Sequence, residues 1–192
     1  MTLDPLYGFV FLGMFSPGPN VILLTASGAR FGFAASLPHL AGVVLGVGII
    51  GAVTGFGLGT LITAIPALRI ALTVAAAAWI LVMAWQLWHA DPTHPRSGER
   101  PWRFGQAVVF QWINPKIWAI ALAATEFVAD LPPADMAARL GFTFMPINLL
   151  VCLFWTAAGT LLAILLTNRT AWRGFMRVMA VALAGFSIAV FL

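Results

Sequence analysis

The chain has 192 residues, of which 61% are hydrophobic and 8% charged, whereas charged residues make up about a quarter of a soluble domain. This composition excludes an ordinary soluble protein and indicates an integral membrane protein. The formal net charge is +4, but the basic residues stand in short links between apolar segments. We therefore interpret them as orientation signals and contacts with the lipid bilayer, and we expect no nucleic acid partner.

Six apolar segments follow one another, each about long enough to cross a bilayer. The predicted fold class is all-α: a polytopic membrane protein with six transmembrane helices in one membrane domain, residues 1–192. No positively charged segment precedes the first apolar run, so we expect that run to remain as a transmembrane helix and not to be cleaved as a signal peptide. The predicted spans are Leu6–Ala29, Ser36–Ile62, Leu68–Trp88, Phe104–Val128, Arg139–Leu166 and Phe175–Leu192.

Spans one and four are interrupted by residues that break helices. Proline removes a backbone donor and clashes with the preceding turn, and glycine adds freedom. Within a membrane such a break is tolerated only where it faces protein or a wet cavity, so we predict that both breaks form the functional site. The interruptions are Ser16-Pro17-Gly18-Pro19-Asn20 and Asn114-Pro115-Lys116.

Both interruptions resemble helix starts. Asparagine is a favoured N-cap and proline is favoured at the first helical position, so Asn114 and Pro115 predict that a half-helix begins inside the membrane. Ser16 followed by Pro17 predicts the same in span one, where Asn20 adds an amide. Helix N-termini expose unpaired N–H groups that suit an anion, so we expect a small-molecule substrate bearing a carboxylate.

Lys116 is the most informative single residue. It lies ~18 Å along its span, near the middle of a hydrocarbon core of ~30 Å. A charge at that depth costs several kcal/mol unless it is paired or hydrated, which indicates a functional role. No acidic residue lies at comparable depth in the spans, so the substrate carboxylate is the expected counter-charge. The alternative is a purely structural lysine that bonds carbonyls of the broken helices.

Lys116 is also a candidate for proton coupling, and two further titratable residues are weaker candidates. Glu126 lies near the outer end of span four, where a solvated helix-end carboxylate is the alternative. His39 lies near the cytoplasmic start of span two, where an interfacial histidine without a transport task is the alternative. His89 and His94 flank Asp91 in a proline-rich loop without helical spacing, so we expect no metal site, and we expect no cofactor.

Span two is rich in glycine. Gly42 and Gly46, and then Gly51, Gly55 and Gly59, recur every four residues and so place small residues on one face. Such a face lets another helix approach closely. We favour packing within the chain, with a homodimer interface as the alternative.

Spans one to three and four to six show the same pattern, because each group opens with a broken helix. The groups correspond to residues of about 1–90 and 104–192, joined by a loop of about 89–103. Since each holds an odd number of spans, the second must be inverted relative to the first, which predicts a substrate site near the bilayer midplane. Chance placement of the prolines is the alternative.

Lysine and arginine are enriched in cytoplasmic links, so their distribution predicts orientation. The odd-numbered links hold seven arginines and the even-numbered links two. We therefore expect both termini to be periplasmic. The seven are Arg30, Arg96, Arg100, Arg103, Arg169, Arg173 and Arg177, against Arg69 and Arg139.

The two motifs, with Gly28, Gly32 and the Phe104-Gly105 opening of span four, resemble the LysE/RhtB amino-acid exporter family. The resemblance covers the whole chain in length, layout and motif order. It implies efflux of amino acids or their derivatives across a bacterial inner membrane, driven by the proton gradient. It also implies that the motif residues from Pro17 to Asn20 and from Asn114 to Lys116 form the translocation site.

We expect a secondary exporter that works by alternating access and is not an enzyme. The sequence has one cysteine, Cys152, and lacks a phosphate-cradling glycine loop, so a thiol carrier or an ATPase lacks its parts. A membrane channel or a non-transporting membrane subunit is the remaining alternative, and it predicts that Lys116 is dispensable.

Overall fold

The structure, a computed structural model, describes residues 4–59, 64–90, 100–165 and 168–189. These residues are helical with short connections and contain no strand, which confirms the all-α prediction. A 3-10 turn, Thr125–Val128, follows the helix that ends at Ala124. The helices are α1 Pro5–Phe15, α2 Pro19–Phe31, α3 Phe33–Gly55, α4 Pro66–Trp88, α5 Phe104–Ile113, α6 Pro115–Ala124, α7 Pro133–Leu165 and α8 Arg169–Ala189.

Four helices, α3, α4, α7 and α8, are each long and apolar enough to cross a membrane. The pairs α1–α2 and α5–α6 qualify when each pair is taken as one span, and the two members meet at angles of 57° and 66°. The described part of the chain thus has up to six spans. Both predicted breaks are confirmed, and the bends bring the ends of four half-helices together.

Several predicted boundaries shift. Helix α3 ends at Gly55, earlier than predicted, and residues 60–62 of predicted span two lie outside the described residues. Helix α7 begins at Pro133 rather than Arg139, because proline suits the first turn and Asp135 there complements the helix dipole. Helix α8 begins at Arg169 rather than Phe175.

Helix α3 lies at the centre of the bundle between α5 and α7. Its glycines make this possible: a Cβ at Gly42 would collide with the Phe104 carbonyl oxygen, and one at Gly55 would lie 2.6 Å from the Ala137 backbone nitrogen. Packing within the chain, the favoured interpretation of these glycines, is thereby confirmed.

Residues predicted to share one side of the membrane are in contact. Asp4 accepts hydrogen bonds from the Leu6 amide and the Arg139 guanidinium, and both donors hold the pKa of the Asp4 carboxyl below its usual range. At the other end, the Arg177 guanidinium lies over the Trp88 ring, 5.1 Å from the ring centroid. These two contacts place the starts of spans one and five at one end of the bundle, and the end of span three beside the start of span six. Asp91, His94 and Arg96 lie outside the described residues.

Candidate functional site

The first break contains two successive helix stops. Pro17 disfavours a helical Ser16, and Ser16 is extended (ψ 144°) and caps the end of α1. Gly18, before Pro19, is also extended, so α2 begins only at the second proline. The prediction that Ser16 and Pro17 start the second half-helix is therefore wrong. Ser16 instead ends the first half-helix, and its hydroxyl donates back to the Gly13 carbonyl at 2.8 Å.

The second break is shorter. Helix α5 ends at Ile113, Asn114 is extended (ψ 101°) and α6 begins at Pro115. The predicted N-cap position is confirmed, but the Asn114 side chain makes no capping bond. Its Nδ2 donates to Gln111 Oε1 at 3.3 Å, and its Oδ1 is buried without a hydrogen-bond partner in the protein. That acceptor remains available to another group.

Lys116 connects the two breaks. Its Nζ donates to the carbonyl oxygen of Ser16, 100 residues away, at the C-terminal end of α1. The partial negative charge of that helix end favours a cation. The lysine stem passes over Gly18, where an added Cβ would lie 2.6 Å from Lys116 Cδ. In this conformation Lys116 thus bonds a carbonyl group at the end of a broken helix, which is what the structural alternative expects.

An amide pair joins the same two breaks on their buried side. Asn20 Nδ2 donates to Gln111 Oε1 at 2.8 Å, and Gln111 Nε2 donates to Asn20 Oδ1 at 3.2 Å. Gln111 is fully buried and also bonds the Ala107 carbonyl at 3.0 Å. Sequence analysis missed Gln111. Its signal was available, because it is a polar residue one turn before Asn114 in an apolar run.

A cavity of about 10 Å³ lies where the breaks meet, and we call it the central cavity. That volume holds about one water molecule, so this conformation is closed around the site. Its walls come from α1, α2, α6 and α7 and from the break residues, and none of the described residues lining it is acidic. The lining consists of Met14, Gly18, Asn20, Val21, Leu24, Asn114, Lys116, Ile117, Asn148, Val151, Cys152 and Trp155.

Helix α7 contributes polar groups that sequence analysis did not name as site residues. Asn148 and Trp155 line the central cavity, and their donor atoms Nδ2 and Nε1 are buried without hydrogen-bond partners in the protein. Such groups cost free energy unless another molecule satisfies them. Two unpaired donors near the half-helix starts can bind an oxyanion, and the unpaired Asn114 Oδ1 can accept from an ammonium group.

The other predicted site residues lie around this cavity or away from it. Pro19 and Pro115 begin the half-helices whose first turns flank it, while Pro17 is exposed. Glu126 is exposed in the 3-10 turn and does not line the cavity. His39 is buried but lines a different cavity. The described residues contain no group of three or more His, Cys, Asp or Glu placed to hold a metal ion.

The molecule is thus a multi-pass membrane protein with two broken spans around a cavity lined by both polar and apolar side chains, an arrangement found in transporters. The sequence matches the family described as LysE type translocator over residues 11–192. The chain belongs to this family, whose members are transport proteins rather than enzymes.

Two curated relatives are both named cysteine/O-acetylserine efflux protein, one from Salmonella choleraesuis (strain SC-B67) and one from Salmonella typhimurium (strain LT2). Each is 27% identical over 124 residues, which is 65% of this chain and 64% of the relative. The matched stretch therefore covers less than two thirds of either protein. No solved structure matches the chain.

Proposed function

We propose that the protein is a secondary active exporter of amino acids or small amino-acid derivatives. It acts across the bacterial inner membrane by proton-coupled alternating access. One observation carries the proposal: two half-helix N-termini and Lys116 meet at a buried cavity with unpaired polar groups. Its membership in a translocator family and the efflux activity named for both relatives support the proposal.

The substrate carboxylate binds between the starts of α2 and α6. Gly18 has no side chain and Asn114 does not cap its helix with its own, so first-turn amides other than that of Ile117, which donates to the Asn114 carbonyl, remain available as donors. Asn148 and Trp155 add two side-chain donors. The unpaired oxygen of Asn114 receives the substrate ammonium group, so the site can recognise both charges of an amino acid.

Lys116 changes partners during transport. In the closed conformation it bonds the Ser16 carbonyl, and this bond competes with a salt bridge to the substrate carboxylate. The structural and the functional interpretation of Lys116 thus each describe one of two states of the same side chain. Proton coupling rests on Lys116 in this proposal, because Glu126 and His39 do not line the central cavity.

Alternating access uses the two halves of one membrane domain as inverted repeats. The larger contacts between the halves stay the same when spans one, two and three are exchanged with spans four, five and six. Span two packs on span five and span three on span six, and the contact of span one with span five corresponds to that of span two with span four.

We assign the arginine-rich end to the cytoplasm and both termini to the periplasm. A homodimer stays a prediction, and the glycine faces of α3 do not support it because they are occupied within the chain.

The test is efflux by Lys116→Ala and Asn114→Ala at matched expression, with Val109→Ala as control because Val109 is 65% exposed on α5. External metabolites with and without expression identify the substrate, and vesicles with an imposed proton gradient then measure its transport. We expect both site variants to lose at least about tenfold of the rate, as expected for a displaced binding group, while the control transports normally. Normal efflux by both site variants would favour a channel or a non-transporting subunit.

A further inference from the structure

The face of α7 that lines the central cavity is polar at its two ends and apolar between them. Asn148, Val151, Cys152 and Trp155 line the cavity, and their spacing of i, i+3, i+4 and i+7 places them on one face of the helix. This face extends over ~10 Å. Val151 and Cys152 form its buried middle, so a substrate that lies along α7 meets aliphatic and thiol groups between the polar ends.

The other walls are largely apolar as well. Helix α2 packs against α7 and contributes Val21 and Leu24, and α1 contributes Met14. These three side chains are buried. The proposed function places the ammonium and carboxylate groups of the substrate at the breaks, beside Asn114 and Lys116. With those groups bound there, the substrate side chain faces the apolar walls.

A charged substrate side chain finds no partner among the described residues of this lining. The chain has six Asp and Glu residues, and the four that the structure describes do not line the cavity. Asp91 and Glu99 precede α5, whose 10 residues extend over ~15 Å before Asn114. Lys116 is the one cationic residue of the described lining, and the substrate carboxylate uses it. A second charge of either sign against apolar walls is costly.

Val151 is placed to limit the size of the substrate side chain. Valine is stiff in a helix because its branched Cβ leaves one strongly preferred rotamer, whereas Met14 has three rotatable bonds and adapts its shape. Val21 and Ile117 are equally stiff, but they lie in the first turns of α2 and α6, at the carboxylate end of the site. A substrate side chain can therefore displace Met14 more easily than Val151.

We propose that the central cavity selects amino acids with uncharged side chains, and that Val151 and Cys152 form the subsite for the substrate side chain. Val151 sets the size that this subsite accepts. The inference rests on the proposed function and adds the substrate class to it. It assigns Val151 a role in specificity, separate from the groups that bind the charged ends of the substrate.

The first test uses the purified protein in vesicles loaded with an equimolar mixture of the twenty standard amino acids, under an imposed proton gradient. Mass spectrometry measures how fast each amino acid leaves. Because all of them compete for the same protein, the ratios of the rates report relative kcat/KM. We expect neutral amino acids to leave at least about a hundredfold faster than lysine, arginine, aspartate and glutamate.

The result separates this inference from the proposed function. Export of lysine or glutamate within about tenfold of the fastest neutral amino acid would overturn the inference and leave the exporter in place. Export of no amino acid at all would contradict the proposed function and the inference with it.

The second test compares Val151→Ala with Leu150→Ala. Val151→Ala should raise the rate for leucine, relative to that for the smallest amino acid exported, about tenfold or more, because a few methyl groups in an apolar subsite discriminate by that factor. Leu150 is the matched control, since it is 64% exposed and does not line the cavity, and its variant should keep the wild-type ratio. A purely structural valine would change both rates equally, so an unchanged ratio in Val151→Ala would refute its role in specificity.

Discussion

Gly18 determines how closely Lys116 approaches the first break. A Cβ there would lie 2.6 Å from Lys116 Cδ and 2.9 Å from Nζ. These atoms are the far end of a flexible chain, so Gly18→Ala should fold but displace the ammonium group from the Ser16 carbonyl. We expect transport to fall about tenfold or more, because small displacements at a site have large kinetic effects. Substrate efflux at matched expression measures this.

Two other glycines provide the controls for that variant. Gly8 has open space around its missing side chain, so Gly8→Ala should transport as wild type. Gly28 faces the Thr156 carbonyl oxygen, so Gly28→Ala should reduce the amount of folded protein instead. If Gly18→Ala transports at the wild-type rate, the close approach of Lys116 is not required.

Residues at the site differ in how far the sequence could predict them. The break at Asn114 and Pro115 follows from local conformational preference, and the depth of Lys116 follows from counting residues. The hydrogen bond between Gln111 and Asn20 cannot be predicted in this way, because the two residues lie 91 positions apart and only the packing of two spans brings them together. Ser16 was misassigned because two prolines follow it, and each can begin a helix.

Helix α3 is the element on which the packing of the bundle depends. At Gly42 an added methyl would meet the Phe104 carbonyl oxygen, which cannot move without shifting the start of α5. Gly105 in α5 has open space instead. We expect Gly42→Ala to destabilise the protein by about 1–3 kcal/mol through overpacking, and Gly105→Ala to be neutral or stabilising by up to about 1 kcal/mol through helix propensity.

Thermal unfolding in detergent compares the two variants directly. Equal midpoints would contradict the close backbone approach of α3 to α5. The glycine spacing predicted that one face of this helix is smooth, but it could not identify the helices that occupy the face. That choice depends on contacts between distant spans, which periodicity within a single span does not encode.

The distribution of charged residues predicts the direction of the whole molecule in the membrane. Arg103 belongs to the arginine-rich end, and Asp130 lies in the short link before α7. Cysteines introduced at these two exposed positions should react with membrane-impermeant maleimide from opposite sides, Arg103→Cys from the cytoplasm and Asp130→Cys from the periplasm. Labelling of both from one side would contradict the six-span topology.

The chain also contains a reporter of its own opening and closing. Cys152 is its single cysteine, is 1% exposed and lines the central cavity. Because a cavity of about 10 Å³ is too small for N-ethylmaleimide, alkylation of Cys152 requires the site to open. A transported substrate should compete, and at roughly ten times its dissociation constant it should slow alkylation about tenfold.

Mass spectrometry of the intact wild-type protein follows this reaction over time. A chemically similar compound that is not transported serves as the control and should leave the rate unchanged. Lys116→Ala should alkylate but lose most of the protection, because its substrate affinity is lower. If a transported substrate leaves the alkylation rate of the wild type unchanged, substrate does not occupy the cavity between the two broken helices, and the translocation path must be sought elsewhere in the bundle.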